Sequence, residues 1–249
     1  MARQKAAGID RSQRHGRKGR VGYAIPIAAV GRDRTMRSTS SRIILLVSML
    51  ILGVVIALLA NRHFVQSRWE SAPAEIKPLL WPEPRAIPDF SMREQNGKSF
   101  SAEDFKGRWS LLFFGYLQCP DVCPMTLQAM KTLRALMRES GQASEIPRMV
   151  FASVDPANDT PERMAAYLAF FDDSLIGLSG TADQLEALAG PLGIAYAENR
   201  DAGGVRSMDH STSIIVIDAQ GRAVAALPSP HQPAVMLRQL NALRTYLGD

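Results

Sequence analysis

The 249 residues are 46% apolar and 21% charged, a balance that excludes a wholly disordered chain, and the length allows one or two domains. Charge is concentrated: residues 1–42 carry eleven Lys/Arg against Asp10 and Asp33, a net +9, whereas the whole chain is +5, so residues 43–249 carry a net −4. The basic tail runs straight into an apolar stretch, which argues for a membrane flank and against nucleic-acid binding.

Residues 1–35 are rich in Arg, Gly and Ser and lack periodicity, so a disordered cytoplasmic tail over 1–42 is expected. Met36 to Arg42 forms a short basic segment of its own. Translation from Met1 and translation from Met36 are both open readings, and an intact mass of the native protein that includes residues 1–35 excludes the second. Ile43 to Ala60 holds 18 residues without charge, with Ser48 its only polar side chain. At helical rise it spans roughly 27 Å, close to a bilayer core. A cleaved signal has a shorter apolar region, and cleavage after Ala60 would place Leu58 where a small residue is needed. The reading is an uncleaved anchor over 43–60, with the N-terminus inside and everything after Asn61 exported.

Residues 61–88 contain Pro73, Pro78, Pro82, Pro84 and Pro88 and read as an extended spacer. Packing of this segment on the domain as irregular coil is the alternative. From 89 to 249 the pattern is regular. Phe90 to Phe100, with Asn96-Gly97 between two short runs, predicts a hairpin. Trp109 to Leu117 reads as a buried strand, and Pro124 to Arg138 as a helix. Met149 to Val154 is a second core strand. Thr160-Pro161 opens a helix, Leu175 to Ser179 is a short strand, and Thr181 with Gln184 forms a capping box. Ser213 to Ile217 and Ala223 to Leu227 form a closing hairpin before a last helix from Pro233. The order is ββ, βαβα, βα, ββα. It argues an α/β domain with a partly parallel central sheet and helices on both faces.

The chain's two cysteines, Cys119 and Cys123, sit four residues apart at the end of the first core strand and the start of a helix. That junction favours thiolate. A pair at i and i+4 shares a face when the turn is helical, so the sulfurs can form a disulfide or share a metal. Thiolates select Cu(I) or zinc. A third ligand is sought among four histidines. His15 and His63 lie in the tail and beside the anchor. His231 precedes the last helix and reads as a loop residue. His210, directly before a core strand, is the candidate, because a strand followed by paired thiols and a helix is the layout of a thioredoxin-like fold, whose corresponding loop faces the Cys turn. Asp121 either tunes the thiolate or fills the turn. Asp155 either supports the site or forms a turn. Met125 and Met130 read as core, and Met208 is the one methionine near the candidate His.

Three motifs occur in order across residues 85–249: Cys119-Pro-Asp-Val-Cys123-Pro124, Ser153-Val-Asp155-Pro156-Ala-Asn-Asp159-Thr160-Pro161-Glu162 and Asp209-His210-Ser211. With them the chain resembles the Sco/SenC family of membrane-anchored, thioredoxin-like copper proteins. The tail before Met36 is outside the resemblance. The resemblance implies copper, as Cu(I) or Cu(II), held by Cys119, Cys123 and His210. It implies a metallochaperone that helps assemble the binuclear copper centre of cytochrome c oxidase. The expected partners are the copper-site subunit, a thioredoxin-like reductant and the membrane through residues 43–60. The expected location is the inner membrane, single pass, with the domain in the periplasm. A Cys119–Cys123 disulfide cannot chelate, so reduction precedes loading. The competing reading is an enzyme, a thiol–disulfide reductase that keeps the oxidase cysteines reduced. Against it, His210-Ser211 lacks the proline that thioredoxins place there. A peroxidase needs Thr-x-x-Cys, and Tyr116, Leu117 and Gln118 precede Cys119.

Overall fold

The computed structural model describes residues 36–248 and divides between Val54 and Val55 into two units. Readings placed on residues 1–35 lie outside the described residues. Helix α1 runs from Met36 to Glu70. Its Ser41–Arg62 stretch is long and apolar enough to cross a membrane. The side chains of Ile43 to Leu59 are exposed to a degree that an aqueous helix of this composition would not tolerate.

The remaining elements, in chain order, are β1 (Leu80–Ala86), β2 (Ser91–Glu94), β3 (Ser99–Ser101), β4 (Ser110–Gly115), α2 (Val122–Glu139), β5 (Arg148–Ser153), α3 (Pro161–Phe171), β6 (Ile176–Ser179), α4 (Ala182–Ala189), β7 (Tyr196–Arg200), β8 (Arg206–His210), β9 (Ile214–Ile217), β10 (Arg222–Leu227) and α5 (Pro233–Leu247). Eight strands form one sheet in the order β1-β10-β9-β4-β5-β6-β2-β3. β4, β5 and β6 run parallel, Leu112 beside Val150 and Val150 beside Ile176. β9 pairs antiparallel with β4, and the β9–β10 and β2–β3 hairpins with the β1–β10 and β2–β6 pairings add the antiparallel rest. β4 is buried at every position, as a central strand covered on both faces must be. The mixed α/β, thioredoxin-like architecture expected from the element order is present.

Local signals acted as written in the sequence. The Thr160 hydroxyl accepts from the Arg163 N–H, with Pro161 in the first turn. Thr181 and Gln184 form the reciprocal capping box. Gly248 ends α5 in the left-handed conformation, φ 83°.

Two parts of the reading need correction. The segment read as a Pro-rich spacer over 61–88 contributes β1, which pairs with β10, and buries Ile76 and Leu79. Pro82 and Pro84 are tolerated there because β1 is an edge strand, where a missing N–H breaks no central ladder. Residues 196–210, which received no element, form the β7–β8 hairpin, a separate two-stranded sheet pairing Tyr196 with His210 and Arg200 with Arg206. His210 therefore ends a strand of its own before β9 begins.

Candidate metal centre

Cys119 lies in the turn after β4, and Cys123 in the first turn of α2, which begins at Val122, two residues before Pro124. The early N–H groups of a helix need acceptors, and the Asp121 side chain, at the N-cap position, makes no cap hydrogen bond. The sulfur of Cys119 fills that role: it accepts from the Cys123 N–H at 3.4 Å. Cys123 is fully buried and Cys119 nearly so. Behind them stands Gly115, where a Cβ would meet Cys123 Sγ at 2.8 Å.

The β7–β8 hairpin brings His210 from far along the chain. Its Nε2 lies 3.6 Å from Cys123 Sγ. Its Nδ1 lies 2.9 Å from the Ser211 carbonyl oxygen. A carbonyl can only accept, so Nδ1 carries a proton and donates it, and Nε2 is the nitrogen that faces the sulfurs. Phe113 and Tyr116 stand edge-to-face against the ring, each 6.0 Å between centroids. Among the described residues, the donor atoms of Cys119, Cys123 and His210 form a cluster in which no two are more than 4.8 Å apart. That span is close to twice a metal–thiolate bond of about 2.3 Å, so an ion at the centre needs only small shifts.

The two thiols are electrostatically unequal. Cys119 is lowered to about 4, chiefly by the hydrogen bond from the Cys123 thiol. Burial opposes this, and His210 and the main-chain N–H groups of Asp121 and Cys123 add to it. Cys123 is pushed up by the same hydrogen bond and by burial. Both thiols are free.

The other candidates separate cleanly. Asp121 is exposed, and it meets Cys119 through its main chain, not its carboxylate. Asp155 is buried and pairs with Arg206 at 2.5 and 2.8 Å. Burial alone would raise its carboxyl, but the hydrogen bonds from Arg206 and Asn158 bring it below the usual range. His231 does not join the cluster: Nδ1 meets the Thr126 hydroxyl at 3.1 Å and Nε2 donates to the Leu227 carbonyl at 3.2 Å. Met130 is core, whereas Met125 is 60% exposed, contrary to the reading that packed it inside. Met208 is buried on the face of β8 that carries His210. His63's side chain lies outside the described set.

Sequence reasoning did not find the support beneath the site. Asp159 is fully buried, and one carboxylate oxygen accepts from the Leu117 N–H at 3.1 Å and the Ser153 hydroxyl at 2.7 Å. The Cys turn therefore rests on the β5–α3 loop. Arg206, the partner of Asp155, was equally unread. Its signal was the alternation Arg206-Ser-Met208-Asp-His210, which places three anchors on one strand face.

Fold and site together define a thioredoxin-like protein in which a Cys-x-x-x-Cys turn is completed by a distant histidine. The SCO1/SenC family model matches residues 82–245, and the chain belongs to that family. Among curated relatives, the mitochondrial SCO2 protein of Saccharomyces cerevisiae is 34% identical over 140 residues, covering 55% of this chain and 46% of that protein. The chain thus spans about half the length of that relative. The structure of Bradyrhizobium japonicum ScoI with copper bound is 34% identical, with a TM-score of 0.55 over 65% of this chain and 99% of that one. That of Arabidopsis thaliana ScoI with copper bound is 26% identical, with a TM-score of 0.60 over 65% and 100%.

Proposed function

We propose that this chain is a membrane-anchored copper carrier that holds one copper ion through Cys119, Cys123 and His210 and delivers it to the binuclear copper centre of cytochrome c oxidase. The observation that carries the reading is the convergence of two sulfurs and one imidazole nitrogen within 4.8 Å. Two thiolates and an imidazole are a soft set that suits copper. The copper-bound ScoI relatives support the choice of metal. Anchoring through 43–60 in the inner membrane, N-terminus inside, puts the folded domain, β1 included, on the periplasmic side, with the tail over 1–42 in the cytoplasm.

Each residue has a task. The Ser211 carbonyl holds the Nδ1 proton, which keeps Nε2 turned toward the ion. Cys119 is a ready thiolate, and Cys123 yields its proton as copper enters, so loading releases protons. An incoming pair of thiolates on the oxidase subunit replaces the three ligands by exchange. A Cys119–Cys123 disulfide must first accept two electrons and two protons, which an exported thioredoxin-like dithiol supplies as it is itself oxidised. The low value of Cys119 also favours a second reading: attack on a disulfide of the oxidase subunit, with Cys123 as the resolving thiol.

The test uses the reduced full chain in detergent, titrated with Cu(I) against a competing chelator. One tightly held copper is expected. His210→Ala should weaken it by more than the roughly 10–100-fold that loss of an outer hydrogen-bond partner costs. Unchanged binding in that variant refutes the copper site and leaves the thiol-reductase reading.

A further inference from the structure

His210 is carried by a hairpin that belongs to no larger sheet. β7 and β8 pair only with each other, so no strand ladder fixes their position against the Cys turn. Tyr196 of β7 donates to Glu186 of α4 at 3.0 Å, and the contacts nearest the ligand strand lie on one face of β8. Arg206, Met208 and His210 alternate along the strand, and Met208 is buried. Arg206 sits about 13 Å before His210 on that face. Its guanidinium grips Asp155 with two hydrogen bonds, at 2.5 and 2.8 Å, and its Nε meets Glu198 at 2.9 Å across the hairpin. A two-pronged Arg–carboxylate pair fixes orientation as well as distance. The Asp155 side chain is 1% exposed, so water does not compete for it.

Asp155 is itself held in place. Its N–H donates to the Ser153 hydroxyl at 3.0 Å, and Asn158 donates to its carboxylate at 2.9 Å. The same Ser153 hydroxyl donates to Asp159, and Asp159 receives the Leu117 N–H from the Cys turn. One loop, from Ser153 to Asp159, thus bonds both to the Cys turn and to β8, the two segments that carry the ligand set.

We propose that Asp155 and Arg206 are positioning residues that clamp β8 to the β5–α3 loop and so set the distance between His210 Nε2 and the two sulfurs. Neither touches the metal. The inference rests on the copper reading above and adds the device that brings its third ligand into reach.

The experiment measures Cu(I) affinity of the reduced full chain for Arg206→Gln and Arg206→Lys, each with His210 present and in the His210→Ala background. With His210 present, Arg206→Gln should lose about tenfold in affinity, the scale of lost outer-shell support. Arg206→Lys, which keeps charge but not the two-pronged grip, should fall between Gln and wild type. In the His210→Ala background neither change should alter affinity more than about twofold, because the clamp acts only through the imidazole. The sulfur-to-Cu(II) absorption of Arg206→Gln should shift toward that of His210→Ala. Asp155→Asn keeps the buried volume and supplies the same comparison from the other partner if Arg206→Gln does not fold. Wild-type affinity in the clamp variants, or equal losses in both backgrounds, overturns the clamp. Failure of the copper reading looks different: His210→Ala alone then binds like wild type.

Discussion

Gly115 leaves the space that the Cys123 sulfur occupies. A Cβ at position 115 would lie 2.8 Å from Cys123 Sγ, 2.8 Å from the Phe151 ring and 3.2 Å from the Phe113 ring. All three neighbours are fully buried and cannot swing away. Gly115→Ala should therefore cost about 1–3 kcal/mol, the usual penalty of overfilling a packed core. It should also displace the sulfur and weaken Cu(I) binding. Thermal unfolding and chelator competition measure the two effects. A variant as stable as wild type with undiminished copper binding contradicts the account of this corner.

The unequal thiols predict unequal reactivity in the metal-free, reduced protein. Cys119 is lowered from its ordinary 9.0 to about 4. A depressed folded value means that the thiolate's stabilisation is complete above about pH 9 and is lost as pH falls toward 4. Alkylation by iodoacetamide should label Cys119 at a rate that is flat from pH 6 to 9 and halves near pH 4. Cys123, pushed up and fully buried, should stay unlabelled across that range. Mass spectrometry of labelled peptides reads both. Equal labelling of the two, with a midpoint near the ordinary thiol value, contradicts the asymmetry.

The fold was legible where sequence signals are local. The uniformly apolar run from Leu111 to Phe114 declares a strand buried on both faces, and Thr160-Pro161 and Thr181–Gln184 declare helix starts. β1 was hidden because it carries two prolines and is exposed from Pro82 onward, so it shows no apolar alternation, and only its edge position makes the prolines harmless. β7 and β8 were hidden because Glu198, Asn199, Arg200 and Asp201 are solvent-facing and leave no apolar period. The convergence of Cys119, Cys123 and His210 was readable because two cysteines and one well-placed histidine are scarce residues. The loop beneath it was not: whether Asp155 and Asp159 serve as turn formers or as buried acceptors depends on Arg206 and Leu117, partners 51 and 42 residues away.

His231 is a structural histidine. Both ring nitrogens are engaged, with Thr126 and with the Leu227 carbonyl, and burial lowers its tendency to protonate. His231→Ala leaves the buried Thr126 hydroxyl without that partner, at a cost of about 1–3 kcal/mol. Copper stoichiometry should stay at one per chain, with affinity near wild type. Loss of copper from this variant at a temperature where it remains folded would make His231 a ligand and contradict the assignment.

Asp159 carries a carboxyl that burial raises above its ordinary value. Only one of its oxygens is engaged, accepting from both Leu117 and Ser153, while the other is buried and has no hydrogen-bond partner. An asparagine can keep its oxygen in the engaged position and carries no charge to bury. A raised folded value means that its contribution to stability is present below the unfolded value of 3.8 and is lost as pH rises through the folded one. Asp159→Asn should therefore gain on wild type as pH rises from 4 to 7, whereas Asp159→Ala, which strands the Leu117 N–H, should be destabilised at both. Melting temperatures of the reduced chain at the two pH values decide it. An Asn variant that falls further behind wild type at pH 7 than at pH 4 would show that the ionised carboxylate, not merely its oxygen, holds the Cys turn.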